Sequence, residues 1–175
     1  MSTFSIKVPV FQKQIADHHK YKDQILDLIK INSMGYIKKG DVVDIISDYD
    51  LSRNHPRPYL SLVTDRVMDC LVDFKDISDF YEGVEISCFF FQQYMKEQYH
   101  GWHVHADCQY NGVYYLDLPE GSPKTEYMDP FTNNICQLDV KEGDVVAFPS
   151  FLVHRAPPNP ISSLKTIISF NFNFK

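Results

Sequence analysis

Two stretches in the first part of the chain carry apolar residues at the spacing of a helix. The first runs from about residue 18 to residue 33, and its apolar face consists of Tyr21, Ile25, Leu28 and Ile29. Gly35 lies just beyond this stretch and is typical of a helix stop. A second helix is predicted from about Pro58 to Phe74, because proline suits the first turn of a helix. Its apolar stripe consists of Leu60, Val63, Val67 and Leu71.

From about residue 84 the apolar period shortens from 3.6 to 2, which indicates β-strands. Turn clusters rich in Gly, Pro and Asn divide this region into predicted strands at roughly 84–95, 101–107, 110–118, 125–128, 135–140, 144–149, 152–155 and 164–174. Another strand is predicted near Phe4–Phe11. Short strands at this spacing are typical of a sandwich or barrel. We therefore predict one domain, residues 1–175, in which a helical N-terminal part (1–83) packs on a β core (84–174).

Charge and composition narrow the range of functions. The chain has 175 residues, and 17 Lys and Arg against 23 Asp and Glu give a net charge of −6. Nucleic acids and anionic membranes attract basic surfaces, so neither is expected as a partner. No apolar run approaches the roughly 18 residues that span a bilayer, and the N-terminus lacks a signal-like leader, which favours a cytoplasmic location. The four cysteines are scattered and are expected to be reduced.

The segment from His103 to Asp107 is the densest group of metal-ligand side chains in the chain. If this segment is a strand, His103, His105 and Asp107 lie on one face of it, because successive side chains point to opposite faces. Two imidazoles and a carboxylate are costly to bury unless something satisfies them. A bound metal ion would satisfy them, and the alternative is a polar strand face that meets water.

His154 supplies a second element, because it follows an apolar strand that ends in Phe-Pro. Together with His105 and Asp107 it would complete a set of two histidines and one carboxylate. That set suits non-haem Fe(II) and leaves coordination positions open for a substrate and O₂. His103 lies on the same predicted face and is an alternative to Asp107, which would give a three-histidine centre. The sequence favours Asp107, because a carboxylate leaves the iron site less positive.

Four segments resemble the Fe(II)/2-oxoglutarate-dependent dioxygenases, in particular the prolyl-hydroxylase-like oxygenases of phages and marine bacteria. They are FQQYMKEQYHGWHVHAD, NGVYYLDLP, GDVVAFPSFLVHRAPPN and LKTIISFNF. The resemblance covers about residues 84–174 and implies a mostly β fold with N-terminal helices (α+β), whose core is a cupin-like double-stranded β-helix, or jelly roll. It also implies Fe(II), 2-oxoglutarate and O₂ as cofactors and co-substrates, and an oxidoreductase that hydroxylates a peptidyl side chain or a small metabolite.

The resemblance implies individual roles as well. The iron ligands and catalytic residues would be His105, Asp107 and His154. Lys165 would pair with the distal carboxylate of 2-oxoglutarate at a position where most of the family uses Arg, which can make two parallel hydrogen bonds. Ile167 stands where the family often has Ser. Tyr115 and Tyr94 would lie against the co-substrate, and the alternative for both is an ordinary place in the core.

Two other functions compete with the oxygenase. A cupin-type dioxygenase or isomerase would use the same barrel without 2-oxoglutarate, and GDVVAFPSFLVH partly resembles the second cupin motif. The Glu that the first cupin motif requires is missing from the segment ADCQYN. A β-barrel binding module with solvent-facing histidines would not be an enzyme. The partner of the oxygenase would be a peptidyl or small-molecule substrate, and a homodimer is left open.

Overall fold

The computed structural model describes residues 7–33, 45–52, 54–76 and 82–175. Its helices are α1 (His18–Ser33) and α2 (Leu60–Asp76). Its strands are β1 (Phe11–Gln14), β2 (Ile46–Ser47), β3 (Val84–Tyr94), β4 (His100–His103), β5 (Tyr110–Asp117), β6 (Glu126–Met128), β7 (Ile135–Gln137), β8 (Asp144–Pro149), β9 (His154–Ala156) and β10 (Lys165–Phe174). No helix within these ranges is long and apolar enough to cross a membrane.

The described strands form two antiparallel sheets. The larger sheet has six strands in the order β1-β8-β5-β10-β3-β2, and the smaller has four in the order β4-β9-β6-β7. Side chains from both sheets meet in one inner core, which includes Tyr94, Val113, Tyr115, Tyr127, Phe148 and Ile167. This arrangement confirms the predicted fold class, a mostly β double-stranded β-helix with N-terminal helices.

The two helices cover the outer face of the six-stranded sheet. Ile25 and Ile29 of α1 and Val67 of α2 are fully buried, and they belong to a second core that includes sheet residues such as Ile168 and Phe170. Burial of an aliphatic side chain of this size contributes about 1.5–3 kcal/mol to the free energy of folding. The helical spacing in the sequence therefore identified the buried face of each helix, and the other face of the sheet is left for the site.

Several predicted boundaries differ from the structure. The strand near Phe4–Phe11 is wrong over residues 7–10, since β1 begins only at Phe11, and its first residues lie outside the described part of the chain. Pro9 explains the late start, because proline cannot donate to a strand partner. Gly35 also lies outside the described residues, so the predicted helix stop stays a prediction. Pro58 occupies the turn before α2.

The most consequential difference concerns the strand predicted over residues 101–107. This prediction is wrong in extent, because β4 ends at His103 and the chain continues without regular structure. The partner strand β9 has only three residues, and its first residue, His154, pairs with His103. Beyond that pair no strand is left to continue the ladder, so the side chains that follow do not alternate between two faces.

Candidate metal centre

Three histidines converge where β4 and β9 meet. His103 and His154 are direct partners across the two strands, and their ring centroids are 4.2 Å apart. The chain then folds so that the backbone N–H of His105 donates to the carbonyl of Ser150 at 3.1 Å. As a result, ring nitrogens of His103, His105 and His154 all lie within 4.8 Å of one another. The pairing of the strands, rather than the local sequence, makes this cluster.

Hydrogen bonds to backbone carbonyls set the protonated nitrogen of two of these rings. The Nδ1–H of His154 donates to the carbonyl of Leu152 at 2.9 Å, and the Nδ1–H of His103 donates to the carbonyl of Gly101 at 2.8 Å. A carbonyl can only accept, so Nδ1 carries the proton and Nε2 keeps its lone pair. Histidine ligands of metals are oriented in this way by a carbonyl behind the ring.

Burial keeps the imidazoles neutral. Burial, and then the proximity of His103, lowers the pKa of His154 to about 3. Burial and the same neighbour lower the pKa of His105 to about 4, although a contact with the Asn171 side chain opposes the shift. The pKa of His103 is lowered mainly by burial. At neutral pH all three rings are therefore uncharged, the form that binds a metal, and three imidazoles suit a divalent first-row transition ion such as Fe(II).

Asp107, which the sequence favoured as a ligand, lies apart from this group. It is exposed, its φ is +62°, and the cluster of potential ligands does not include it. The turn made by Asp107 directs the chain from the histidines toward β5. The His103 alternative corresponds to the residues that the structure brings together, and the reason is the end of β4 at that residue.

Lys165 is a buried lysine with no carboxylate partner among the described residues. Its side chain is only 1% exposed, and its Nζ donates to the carbonyl of Pro123 at 2.7 Å. The ammonium lies 5.3 Å from the ring centre of Tyr94 and 5.9 Å from that of Tyr115. Burial lowers the pKa of Lys165 to about 7. A buried ammonium without a counter-ion is costly, so this position suits a bound anion.

Tyr94, beside Lys165, forms part of the wall of a narrow cavity, here called the inner cavity. Tyr94, Thr125 and Ile167 line it together with the three histidines of the cluster. Tyr115 donates from its hydroxyl to Thr125 Oγ1 at 2.8 Å, which fixes the position of Thr125. Arg155 also lines this cavity, but its guanidinium is bound to Glu126 at 2.6 Å and lies over the ring of Trp102.

A wider space, here called the outer cleft, opens on the same histidines. It has a volume of about 410 Å³, and Gln92, His100, His103 and His105 line both it and the inner cavity. The remaining wall includes Tyr49, Asp50, Phe90 and Asp107. The cluster of histidines thus lies between two spaces, one of which ends close to a buried cation.

Gln92 and His100 were not predicted from the sequence as parts of the site. The ring of His100 stacks on that of His103, with centroids 4.0 Å apart and planes at 20°. Gln92 accepts a hydrogen bond from Ser169 Oγ at 2.9 Å, and its side-chain amide nitrogen lies 3.5 Å from His100 Nδ1. His100 therefore contacts His103 directly, and Gln92 contacts His100. A fourth histidine three residues before His103 was the available signal.

The sequence and the structure were compared with those of known proteins. No protein-family model matches the sequence, and no curated protein matches it. Solved structures do match. A prolyl-4-hydroxylase from Pseudomonas putida is 11% identical, and the match covers 94% of this chain and 92% of that chain with a TM-score of 0.66.

Two further solved structures are similar and contain ligands. The viral collagen prolyl hydroxylase of Paramecium Bursaria Chlorella virus-1, solved as a 2-oxoglutarate complex, is 14% identical over 93% of this chain and 94% of that chain, with a TM-score of 0.63. HygX from Streptomyces hygroscopicus, solved with nickel, 2-oxoglutarate and hygromycin B, is 11% identical over 94% of this chain and 82% of that chain, with a TM-score of 0.67. The chain has the fold of the 2-oxoglutarate oxygenases.

The two prolyl hydroxylases match over nearly the full length of both chains. At 11–14% sequence identity these matches show a shared fold, but they do not show the roles of individual side chains. The roles of the histidines and of Lys165 therefore depend on the distances, burial and hydrogen bonds of this chain.

Proposed function

We propose that the protein is an Fe(II)- and 2-oxoglutarate-dependent oxygenase that hydroxylates a peptidyl side chain or a small metabolite. The observation that carries this proposal is the combination of two features in a 2-oxoglutarate oxygenase fold. Three neutral imidazoles lie close together, and a buried lysine without a carboxylate partner among the described residues lies 5.3 Å from the ring centre of Tyr94, which lines the adjoining inner cavity. An iron ligand set and an anion-binding lysine are the two things that this co-substrate requires.

The proposed metal ligands are His103, His105 and His154, through the ring nitrogens that carry a lone pair. Their mutual distances and the carbonyls behind His103 and His154 support this assignment. Asp107 would be the third ligand in place of His103 only if the segment after β4 were rearranged. When bound, Fe(II) supplies the O₂ chemistry that couples 2-oxoglutarate decarboxylation to the oxidation of a C–H bond.

Lys165 is proposed to hold the distal carboxylate of 2-oxoglutarate. Its ammonium would exchange the Pro123 carbonyl for a carboxylate, which pairs the buried charge and strengthens the hydrogen bond. The lysine ammonium is a point charge, whereas an arginine would bind the carboxylate through two parallel hydrogen bonds. The walls of the inner cavity must therefore orient the co-substrate. Tyr94 and Tyr115 flank the ammonium, and Tyr94 is part of the cavity wall. Among the residues that line the inner cavity, Ile167 has no hydroxyl group to offer the co-substrate, whereas Thr125 has one.

The test is the turnover of 2-oxoglutarate by the purified protein. Succinate formation should require both Fe(II) and 2-oxoglutarate under air, and His154→Ala should lose it. Bound iron without succinate formation would favour a cupin-type enzyme, and absence of both would favour a binding module without activity. A cytoplasmic location stays a prediction from the sequence, and a homodimer stays an open alternative.

A further inference from the structure

Asn111 of β5 is buried beside the histidine cluster. The residue is only 2% exposed, and it lines the inner cavity together with His105 and His154. Asn111 pairs across the sheet with Phe148, and the ring of Phe148 packs edge-on against that of His154 with centroids 4.7 Å apart. The pairing of β5 with β8 therefore sets Asn111 at the level of the histidines.

The alternation of β5 turns the Asn111 side chain toward the space between the two sheets. Val113 and Tyr115 follow at every second position and belong to the inner core, so Asn111 points to the same side of the sheet. Tyr115 lies beside the ammonium of Lys165. The inner face of β5 thus passes from the histidine cluster at Asn111 to the buried lysine at Tyr115.

One polar atom of Asn111 has no partner. Its Oδ1 accepts a hydrogen bond from the Cys108 thiol at 3.2 Å, which leaves the donor Nδ2 on the side away from Cys108. Among the described residues that line the inner cavity, this Nδ2 is the one buried side-chain nitrogen or oxygen without a hydrogen-bond partner. A buried amide N–H without an acceptor destabilises the folded protein, so this donor indicates an acceptor that arrives with a ligand.

The neighbouring polar side chains are already paired with one another. Ser169 donates from its hydroxyl to Gln92 Oε1 at 2.9 Å, and Tyr115 donates from its hydroxyl to Thr125 Oγ1 at 2.8 Å. These two hydrogen bonds hold the walls of the inner cavity without involving Asn111 Nδ2. The donor is therefore held in place next to the metal ligands and is ready for an oxygen atom in the cavity.

We propose that Asn111 binds the 2-oxo acid end of the co-substrate, whose carboxylate or keto oxygen accepts a hydrogen bond from Asn111 Nδ2. Lys165 would hold the carboxylate at the other end, so β5 and β10 would each supply one nitrogen donor. The inference rests on the proposed function for the identity of the ligand. It adds a residue for the end of that ligand that faces the histidines.

The experiment compares two ligands on protein loaded with Zn(II). 2-Oxoglutarate carries both ends, whereas 2-oxopentanoate carries the same 2-oxo acid end and lacks the distal carboxylate. Asn111→Leu, which keeps the approximate volume and removes the donor, should weaken binding of both ligands about tenfold to 100-fold, the range for a hydrogen bond to a charged group. Lys165→Ala should weaken binding of 2-oxoglutarate alone. Calorimetry or NMR titration measures the four affinities.

Three further measurements separate a direct contact from a structural effect. Asn111→Thr keeps a donor hydroxyl and should recover part of the affinity, whereas Asn134→Leu removes an exposed amide between β6 and β7 and should change neither affinity. Zn(II) affinity should be the same in all of these variants. In the parent protein, the side-chain ¹⁵N amide resonance of Asn111, identified by its absence from the Asn111→Leu spectrum, should shift when either ligand binds.

Several results would overturn the proposal. Equal affinities of Asn111→Leu and the parent would mean that water alone satisfies Nδ2. A loss confined to 2-oxoglutarate would place Asn111 at the distal carboxylate, and weaker binding without a shift of the Asn111 resonance would assign the effect to packing. If the parent protein binds Zn(II) but neither ligand, the proposed function is rejected together with this assignment. If it binds both and only Asn111→Leu is without effect, the proposed function stands and the role of Asn111 falls.

Discussion

At the scale of single residues, His103 and Asp107 decide the nature of the metal site. The structure groups His103 with His105 and His154, and Asp107 is exposed and outside the group. We therefore expect His103→Ala to lower Fe(II) affinity by more than about 100-fold. Mutation of a residue that only hydrogen-bonds to a metal ligand already lowers metal affinity about 10–100-fold. Asp107→Ala should retain stoichiometric iron. Anaerobic dialysis followed by metal analysis measures both.

Circular dichroism serves as the control for that pair of variants, since each should keep the fold of the parent. His154→Ala is the positive control, because His154 belongs to the ligand set under either assignment. Loss of iron by Asp107→Ala together with retention by His103→Ala would restore the set of two histidines and one carboxylate.

The burial of Lys165 predicts that binding of 2-oxoglutarate is coupled to proton uptake. Burial lowers its pKa to about 7, so above pH 7 the side chain of the free protein is mostly uncharged. A bound carboxylate raises that pKa again, because it stabilises the ammonium. Binding of 2-oxoglutarate at pH 8 should therefore take up a proton, and its affinity should fall as the pH rises above 7. Calorimetry in two buffers of different ionisation enthalpy measures this uptake.

Two substitutions sharpen the proton measurement. Lys165→Arg should bind 2-oxoglutarate without proton uptake, because a guanidinium stays charged at pH 8. Lys165→Ala should lose most of the co-substrate affinity and leave iron binding unchanged. Equal binding enthalpies of the parent protein in the two buffers would show that Lys165 is already charged, or that it does not contact the co-substrate.

At the scale of elements, the close approach of β5 and β10 depends on a glycine. Gly112 pairs with Phe170, and a Cβ at Gly112 would lie 1.9 Å from the Phe170 ring. The ring is fully buried in the core beneath the helices, where packed neighbours oppose its displacement. Gly112→Ala should destabilise the protein by about 1–3 kcal/mol or more, by overpacking. Gly83→Ala, where a Cβ meets nothing within 4 Å, is the matched control in urea unfolding.

The elements also show which parts of the molecule the sequence could predict. Both helices and the long strands β3, β5, β8 and β10 were confirmed, since each carries a sustained apolar period. The two-residue strand β2 is too short to show one. The alternation in the segment after His103 resembled a strand, but a strand also needs a partner, and β9 is too short to pair with this segment.

The same contrast, between local sequence patterns and pairing across the fold, explains which site residues the sequence could predict. His105, His154 and Lys165 were predicted from the sequence because they occur in segments that resemble a known family, and the structure places His105 and His154 in one cluster with His103. The exchange of Asp107 for His103 depends on where β4 ends, which is decided by a pairing across the fold and not by neighbouring residues. Gln92 and His100 act through ring stacking and a hydrogen bond to His103 and its neighbours, and no local motif marks such contacts.

At the scale of the whole molecule, the metal and the co-substrate would join the two sheets. His103 and His154 belong to the four-stranded sheet, and Lys165 belongs to the six-stranded sheet. A metal bound to the histidines and a 2-oxoglutarate held between that metal and Lys165 would tie one sheet to the other. Each ligand stabilises the folded state by mass action, about 2.7 kcal/mol at one hundred times its Kd.

This arrangement predicts that the two ligands stabilise the protein cooperatively. Zn(II) alone should raise the melting temperature, 2-oxoglutarate alone should raise it little, and the pair should raise it by more than the sum. In Lys165→Ala, Zn(II) should still raise the melting temperature, but 2-oxoglutarate should not raise it further, because the contact between the co-substrate and the six-stranded sheet is lost. His154→Ala should lose both. Simple additivity of the two shifts in the parent protein would mean that 2-oxoglutarate does not bridge the metal and Lys165.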